Sequence, residues 1–382
     1  MKITHLRVFI ITPGLKEPGE KMWNFVLVKV YTDEGIEGVG EGFANGKAKT
    51  TETAIYEFER WLKDKDPTEI LRHWYAYYRG SRYPQGTETM AALSAIEMAL
   101  WDIAGKAAGL PVYKMLGGPV RDEIRVYRTA EVDKIMDSVE EGFTAVKFTP
   151  LYFVPEWEHM TPNEIMEISI DRVGKIRKMV GDGIDLCLDY HGRSFSPADA
   201  IQFARAIEQH GLLFIEEPAM TDVPESLAEI KMMTTIPIAG GERCVTRSLL
   251  REILEKRAVH VFQPDPSACG GIAETIRWAG AAEMHQIVLA PHQSCSPVQL
   301  AAATQIDACI PNFLIQECNV NLQGQWVKDL FNHPPVVEKG YMQLNDRPGL
   351  GIELNDETAE DWPFEPIDRP VVIEPDGGIG LE

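Results

Sequence analysis

The chain has 382 residues, of which 45% are hydrophobic and 25% are charged, and its formal net charge at pH 7 is −21. This length exceeds that of an ordinary small domain, so we expect two domains with a sizeable buried core. The excess of acidic residues argues against nucleic acid and anionic membranes as partners, because both are negatively charged. A small anionic substrate would need a local positive centre, such as a metal ion or arginines.

The start of the chain and its cysteines favour a cytoplasmic protein. The first apolar run spans only residues 8–11 and is followed by Thr12 and Pro13, which is too short for a secretory signal. No apolar run approaches the length needed to span a membrane. The six cysteines are scattered without C-x-x-C spacing, so we expect reduced and mostly buried thiols.

Residues 1–122 are predicted to form a separate α+β domain. Apolar patterning predicts three strands of a small antiparallel sheet, and a helical periodicity then predicts three helices. The last helix is expected to stop at Gly109, shortly before Pro111. The predicted strands cover 2–12, 24–32 and 36–42, and the predicted helices cover about 50–65, 67–79 and 87–108.

From about residue 124 the pattern changes to short apolar strands separated by helical segments. Eight strands that alternate with helices predict an α/β fold, a parallel (β/α)8 barrel over residues 123–330. An open doubly wound sheet is less consistent with the sequence, because no G-x-G-x-x-G follows the first strand. Residues 331–382 are rich in Pro and Gly and are expected to pack back on the first domain. The predicted strands are 124–129, 145–149, 186–191, 212–217, 236–242, 259–265, 287–292 and 313–317.

Polar residues collect at the ends of six of these strands. A barrel brings all its strand carboxyl ends to one rim, where active sites of this fold are built. Because strand side chains alternate, Asp189 and His191 are expected to face the same side. The strand-end residues are Asp189, His191, Glu216, Glu217, Glu242, Asp265, His292 and Glu317.

Three of these acids come from consecutive strands, and their charges would repel one another unless a cation neutralised them. Carboxylate oxygens are hard ligands that suit a magnesium ion with open positions for water or substrate. A single strand-end acid would more simply cap the following helix or pair with a surface lysine. Three in succession, Asp189, Glu216 and Glu242, favour a metal site instead.

The two histidines have functional and structural interpretations. His292 follows an apolar strand and Asp265 ends the neighbouring one, so the carboxylate could fix the imidazole tautomer and raise its basicity. The alternative is a buried histidine with satisfied hydrogen bonds. His191 alone would favour neither interpretation, but its place beside Asp189 favours function.

Several motifs spaced in order along nearly the whole chain resemble those of the enolase superfamily, in its mandelate racemase branch. The similarity is greatest to sugar-acid dehydratases that act on galactonate-like substrates. The motifs are S-A-I-E-M-A-L-W-D-I-A-G-K with the following G-L-P-V-Y and L-G-G (94–118), D-Y-H-G-R (189–193), I-E-E-P (215–218), G-G-E-R (240–243), Q-P-D (263–265), A-P-H (290–292) and I-Q-E (315–317).

The resemblance implies a magnesium-dependent dehydratase that removes the C2 proton of an aldonate. The resulting enediolate would lose the C3 hydroxyl and yield a 2-keto-3-deoxy acid. The resemblance also implies a homo-oligomer. By motif, Asp189, Glu216 and Glu242 would bind Mg²⁺, His292 would be the base with Asp265 as its partner, His191 would protonate the leaving hydroxyl, and Glu317 would hydrogen-bond the substrate carboxylate.

One departure from the family's pattern bears on the reaction. Many relatives have Lys-x-Lys at the end of the second barrel strand, with the second lysine as a base, whereas this chain has Lys147-Phe148-Thr149. A two-base racemase or epimerase is therefore disfavoured. Dehydration of mannonate or gluconate, epimerisation of an acid sugar, and a non-catalytic binding barrel remain as alternatives.

The resemblance further implies that the first domain caps the barrel and that its loops set substrate specificity. The segments at about 14–24 and 43–50 would close over the substrate, with Trp23 as a candidate lid residue or a simple packing residue. The long segment 150–164 after the second barrel strand could also shape the site.

Overall fold

The fold is described from a computed structural model of the chain. The structure describes residues 1–17, 23–44, 46–150, 160–192, 196–367 and 378. Residues 18–22 and 45 of the predicted lid, and residues 151–159 of the long loop, lie outside these ranges.

The first domain consists of a three-stranded antiparallel sheet covered by helices. The sheet order is β1-β2-β3, and the long helix α3 packs on β3. The predicted strands and helices of this domain are confirmed to within a few residues at their ends. Its elements are β1 (Ile3–Ile11), β2 (Phe25–Thr32), β3 (Glu37–Gly42), α1 (Ala48–Leu62), α2 (Ile70–Gly80), α3 (Thr87–Ala108) and the short α4 (Val112–Met115).

Glycines in β3 allow its backbone to pack directly against the backbone of α3. A Cβ atom added at Gly40 would collide with the backbone carbonyl of Ala95, and one at Gly38 with that of Ala99. A larger residue at either position would therefore push the helix away from the sheet.

The second part of the chain forms the predicted (β/α)8 barrel. Its strands pair in parallel from β4 to β10, and β11 pairs in parallel with β4. A parallel bridge between Leu289 and Phe313 links the last two strands and closes the ring. The strands are β4 (Glu123–Thr129), β5 (Ala145–Phe148), β6 (Asp185–Asp189), β7 (Phe214–Glu216), β8 (Ile238–Gly240), β9 (Val261–Phe262), β10 (Val288–Leu289) and β11 (Gln316–Cys318).

A helix follows each barrel strand. These helices form the outer layer, so each strand ends near the start of the helix that follows it. They are α5 (Ile135–Glu140), α6 (Pro162–Val180), α7 (Pro197–Ile207), α8 (Pro224–Met233), α9 (Arg247–Glu255), α10 (Ile272–Met284), α11 (Pro297–Asp307) and α12 (Gln325–Leu330).

The barrel interior contains a layer of apolar side chains, to which each of the eight strand segments contributes one residue. The layer combines small and large residues, which together fill the interior. Because side chains alternate along a strand, the residue two positions further on faces the same interior at the carboxyl end. The layer is Tyr127, Ala145, Cys187, Phe214, Ala239, Val261, Ala290 and Ile315.

The C-terminal segment contacts both the first domain and the barrel. Lys29 of β2 forms an ion pair with Asp356, and β14 pairs antiparallel with β4. The domain limits at residues 122 and 330 stay a prediction. The elements of the segment are β12 (Phe331–Asn332), β13 (Val337–Glu338), β14 (Tyr341–Gln343), β15 (Glu353–Leu354) and α13 (Asp356–Glu360).

Two further expectations concern cysteines and membrane spans. All six cysteine thiols are free, and five of them are buried. No helix in the described ranges combines the length and apolar character that crossing a membrane requires.

Replacement of Gly40 by Ala should destabilise the protein by about 1–3 kcal/mol or more, because the new methyl group meets rigid backbone. Gly280→Ala is the control. Gly280 lies inside α10, where an added Cβ would meet no described atom within 4 Å. That substitution should stabilise the protein by about 0.5–1 kcal/mol. Urea unfolding monitored by circular dichroism measures both, and equal effects would contradict the close β3–α3 contact.

Candidate active site

The polar layer of the barrel lies two residues beyond the apolar interior layer. The strand period of two therefore turns seven polar side chains toward the same rim. Six of them are buried and Thr129 is partly buried. They are Thr129, Lys147, Asp189, Glu216, Gln263, His292 and Glu317.

Lys147 lies at the centre of this layer and was not among the site residues predicted from the sequence. Its ammonium is 2.8 and 3.0 Å from the two carboxylate oxygens of Glu216 and 2.9 Å from Glu317 Oε1. It is also 3.3 Å from Asp189 Oδ2. The side chain is only 2% exposed. A buried positive charge thus contacts three buried carboxylates.

The charges in this cluster shift one another's pKa values. Burial opposes the charged form of Lys147, but Glu216 and Glu317 raise its pKa well above the ordinary value. Burial likewise opposes the charged form of Asp189, yet Lys147 and His191 lower the pKa of that carboxyl. Lys147 therefore supplies the neutralising charge that the sequence pattern had suggested only for a metal ion. A lysine within the apolar strand 145–149 was the signal that could have identified it.

His292 and Asp265 form the predicted pair. The Nδ1 atom of His292 lies 2.7 Å from Asp265 Oδ2, and both residues are buried. On the other side of the ring, Nε2 lies 3.3 Å from Glu242 Oε2. Burial opposes protonation, but Glu242 and Asp265 raise the pKa of His292 to about 10. In this arrangement Glu242 favours the protonated imidazole, and binding of Glu242 to another group would favour the neutral form that a base needs.

His191 reaches the site by a route that differs from the expected one. Strand β6 ends at Asp189, and His191 has a left-handed backbone with φ 52°. Strand alternation therefore does not extend to His191, although its side chain still lies on the same side as that of Asp189. The turn nevertheless brings His191 Nδ1 to 2.5 Å from Asp189 Oδ1. The side chain is 34% exposed, which leaves part of the ring accessible.

Glu317 is held in place by hydrogen bonds from two side chains and one backbone N–H. Glu317 accepts hydrogen bonds from Thr129, Lys147 and the backbone N–H of Gln293. Burial would raise the pKa of Glu317, but Lys147 and His292 lower it overall, so this carboxylate is ionised.

Glu217 contacts different groups from those of Glu216. It accepts a hydrogen bond from Thr221 and pairs with Arg243 at 2.9 Å. Glu217 therefore has partners of its own and does not share those of the central cluster.

The predicted metal ligands are only partly brought together. Asp189 and Glu216 are direct neighbours in the β6–β7 register, whereas Glu242 contacts His292 and Arg243. No group of three or more His, Cys, Asp or Glu side chains in the described ranges is arranged to hold a metal ion.

The chemistry of the three acids nevertheless suits a hard divalent cation. All three supply carboxylate oxygens from consecutive strand ends, and Asp189 and Glu216 are direct neighbours in the β6–β7 register. The donor set therefore fits magnesium, and Asp189, Glu216 and Glu242 remain the residues that would hold it.

The first domain closes one side of the site. The Phe43 ring lies edge-on to the His292 ring with centroids 6.3 Å apart, and the Phe43 N–H donates to the carbonyl of Ser267. Trp23 packs against the main hydrophobic core, which fits the packing alternative. Residues 18–22 and 45 of the predicted lid lie outside the described residues.

Comparison with known proteins agrees with this architecture. Residues 130–358 match the family described as enolase C-terminal domain-like, and residues 19–117 match the mandelate racemase / muconate lactonizing enzyme N-terminal domain. A D-galactonate dehydratase of Ralstonia nicotianae is 35% identical over 95% of this chain and 96% of its own. Another, of Variovorax paradoxus, is 34% identical over 99% of each chain.

Solved structures show the same fold. An enolase from Agrobacterium radiobacter, described as a proposed galactarate dehydratase with bound Na and L-malate, superimposes with a TM-score of 0.90. It is 28% identical, and the match covers 100% of both chains. A member of the enolase superfamily from Salmonella Typhimurium gives a TM-score of 0.87 at 29% identity over 95% of this chain and 98% of its own.

Replacement of Lys147 by Met should lower the free energy of unfolding by about 3–5 kcal/mol, because three buried carboxylates lose their shared counter-charge. Urea unfolding at neutral pH measures the loss. The control is Lys175→Met, which removes a pair with Asp171 whose side chains are 76% and 60% exposed and should leave stability nearly unchanged. A Lys147→Met protein as stable as the control would contradict the charge cluster.

Proposed function

The chain belongs to the enolase superfamily, in its mandelate racemase and muconate lactonizing enzyme branch, and from this premise we propose that it is a magnesium-dependent dehydratase of a sugar acid. The observation that carries the proposal is the His292–Asp265 pair beside the carboxylates of the barrel rim. The full-length similarity to D-galactonate dehydratases favours a galactonate-like aldonate as substrate.

The metal site would be formed by Asp189, Glu216 and Glu242. A bound magnesium ion would supply positive charge that stabilises the negative charge developing on the substrate carboxylate. Engagement of Glu242 at that site would also remove a carboxylate from His292 Nε2. The imidazole nitrogen would then be available to accept a proton.

His292 is the proposed base. Its Nε2 takes the proton from C2 of the substrate, and the electron pair of the broken C–H bond moves into the carboxylate to form an enediolate. Asp265 holds Nδ1 and stabilises the imidazolium that results. General acid–base catalysis of this kind contributes about 10²–10⁴-fold.

His191 is the proposed acid for the second half of the reaction. It donates a proton to the C3 hydroxyl as the C3–O bond breaks, and the hydroxyl leaves as water. The enol that remains tautomerises to a 2-keto-3-deoxy acid. Partial exposure of the His191 ring beside the buried Asp189 is consistent with contact to a bound substrate.

Lys147 is better placed than Glu317 to stabilise charge on the substrate. Glu317 is ionised and its oxygens already accept three hydrogen bonds, so it has no proton to donate. The Lys147 ammonium lies in the same polar layer and keeps its positive charge. We assign to Glu317 the role of holding Lys147 and the loop at Gln293.

Epimerisation is the second candidate reaction, because removal of the C2 proton is common to both. The absence of a second lysine at Thr149 disfavours it, since inversion needs a proton donor on the opposite face. Mannonate and gluconate stay as alternative substrates. A homo-oligomeric, cytoplasmic enzyme remains our expectation.

The proposal predicts that the purified protein converts D-galactonate, or a related aldonate from a panel of acid sugars, to a 2-keto-3-deoxy product. Removal of divalent ions with EDTA should abolish the activity, and added magnesium should restore it. A colorimetric assay for 2-keto-3-deoxy acids measures the product. Full turnover in EDTA would refute the metal requirement, and an epimer without keto acid would identify the second candidate.

Replacement of each histidine should block a different step of the proposed reaction. His292→Asn should abolish both dehydration and exchange of the C2 hydrogen in D₂O, whereas His191→Asn should abolish dehydration but retain some exchange. His285→Asn is the control, because His285 ends α10 before the amino end of β10 and should behave as wild type. NMR of the substrate measures exchange, and normal dehydration by either mutant would overturn that residue's role.

A further inference from the structure

A buried glutamine connects the two members of the proposed catalytic pair. The side-chain amide of Gln299, in the first turn of α11, donates to Asp265 Oδ1 at 2.8 Å and to the His292 carbonyl oxygen at 3.2 Å. Its other end, Oε1, accepts from the backbone N–H of Cys295 at 2.9 Å. An N–H can only donate, so this contact defines which end of the carboxamide faces Asp265.

The Asp265 carboxylate divides its contacts between its two oxygens. The Oδ2 atom bonds His292 Nδ1, while Oδ1 accepts from Gln299 and from the backbone and hydroxyl of Ser267. Contacts on both oxygens fix the plane of the carboxylate. The plane in turn fixes the direction in which His292 Nε2 points, because the imidazole is held through Nδ1.

The first domain holds Gln299 in place. Glu41, on β3, accepts hydrogen bonds from the backbone N–H of Ser296 and of Gln299 and from the Ser296 hydroxyl. It thereby binds the first turn of α11 from the other domain. Glu41, Ser296 and Gln299 are all completely buried.

We infer that Gln299 is a positioning residue for His292, and that Glu41 of the first domain positions Gln299. Contact between the domains is thereby coupled to the orientation of the proposed base. The inference rests on the proposed function for its catalytic meaning, but the hydrogen-bond chain itself is independent of any substrate.

The same interface contains a matched glutamate without this connection. Glu97, on α3, accepts from the backbone N–H groups of Ile272 and Ala273 at the start of α10. Burial raises the pKa of Glu41 and of Glu97 alike to about 7. Glu97 also accepts from the Trp101 indole and has no described contact with Asp265 or His292.

A matched glutamine lies on α11 itself. Gln305 is 2% exposed and Gln299 is 0% exposed. Gln305 accepts from the backbone N–H of Tyr113 and donates to the carbonyl of Leu350. Its partners are therefore backbone atoms far from the polar layer, so Gln305→Met reproduces the loss of a buried carboxamide without touching the pair.

The first experiment is kinetic, on the magnesium-loaded protein. Gln299→Met keeps the side-chain size and should lower kcat by about 10–100-fold, with KM changed by less than about threefold because the substrate contacts remain. Gln305→Met should retain wild-type kcat. Likewise Glu41→Gln should lower kcat more than Glu97→Gln. Equal kcat values within each matched pair would overturn the inference.

The second experiment needs no turnover. In the low-field proton NMR spectrum of the full chain, the proton between Asp265 and His292 should give a resonance that His292→Asn removes. Gln299→Met should shift or broaden it, and Gln305→Met should not. An unchanged resonance in Gln299→Met, or its absence from the wild type, would overturn the positioning role. If the resonance shifts as expected but no acid sugar is converted, the positioning stands and the proposed function fails.

Discussion

The buried ion cluster around Lys147 is the constraint on which the rest of the site depends. Three carboxylates are turned into the barrel interior by strand alternation, and removing them from water is costly unless positive charge lies within hydrogen-bond distance. The Lys147 ammonium supplies that charge to Glu216, Glu317 and Asp189. Glu242, which is not part of the layer, lies 3.3 Å from His292 Nε2. Every acid in the polar layer thus has a cationic neighbour, which explains why so many can be buried together.

Carboxylates also join the two domains, but with backbone N–H groups as partners. Glu41 and Glu97 come from β3 and α3 of the first domain and bind the first turns of α11 and α10. Exposed N–H groups at a helix start favour a negative or acceptor group there. His292 and Asp265 lie in the loops that lead from β10 to α11 and from β9 to α10. The interface therefore lies next to the loops that contain the proposed base and its partner.

Much of the site was predictable because a barrel converts sequence position into spatial position. All eight strands were predicted, and the strand-end rule led to Asp189, Glu216, Asp265, His292 and Glu317 as rim residues. Seven of the eight observed strands are shorter than predicted, since the ladder ends before residues such as Asp265 and His292. Lys147 was overlooked because a lysine in an apolar strand was considered only as part of a missing motif. Its position follows from the same alternation of strand side chains that turns the acidic residues toward the barrel interior.

The sequence by itself determined the fold class, the order of elements and the residue types at the rim, because periodicity and strand-end position are local properties. Only the tertiary structure decided which charges meet. The contact of Glu242 with His292 joins residues on different elements, and so does the link from Glu41 through Gln299 to Asp265. Glu41 and Asp265 are more than 200 positions apart, and no local pattern encodes their contact through α11. Long-range contacts of this kind depend on how helices and strands pack against one another, so only the folded structure shows them.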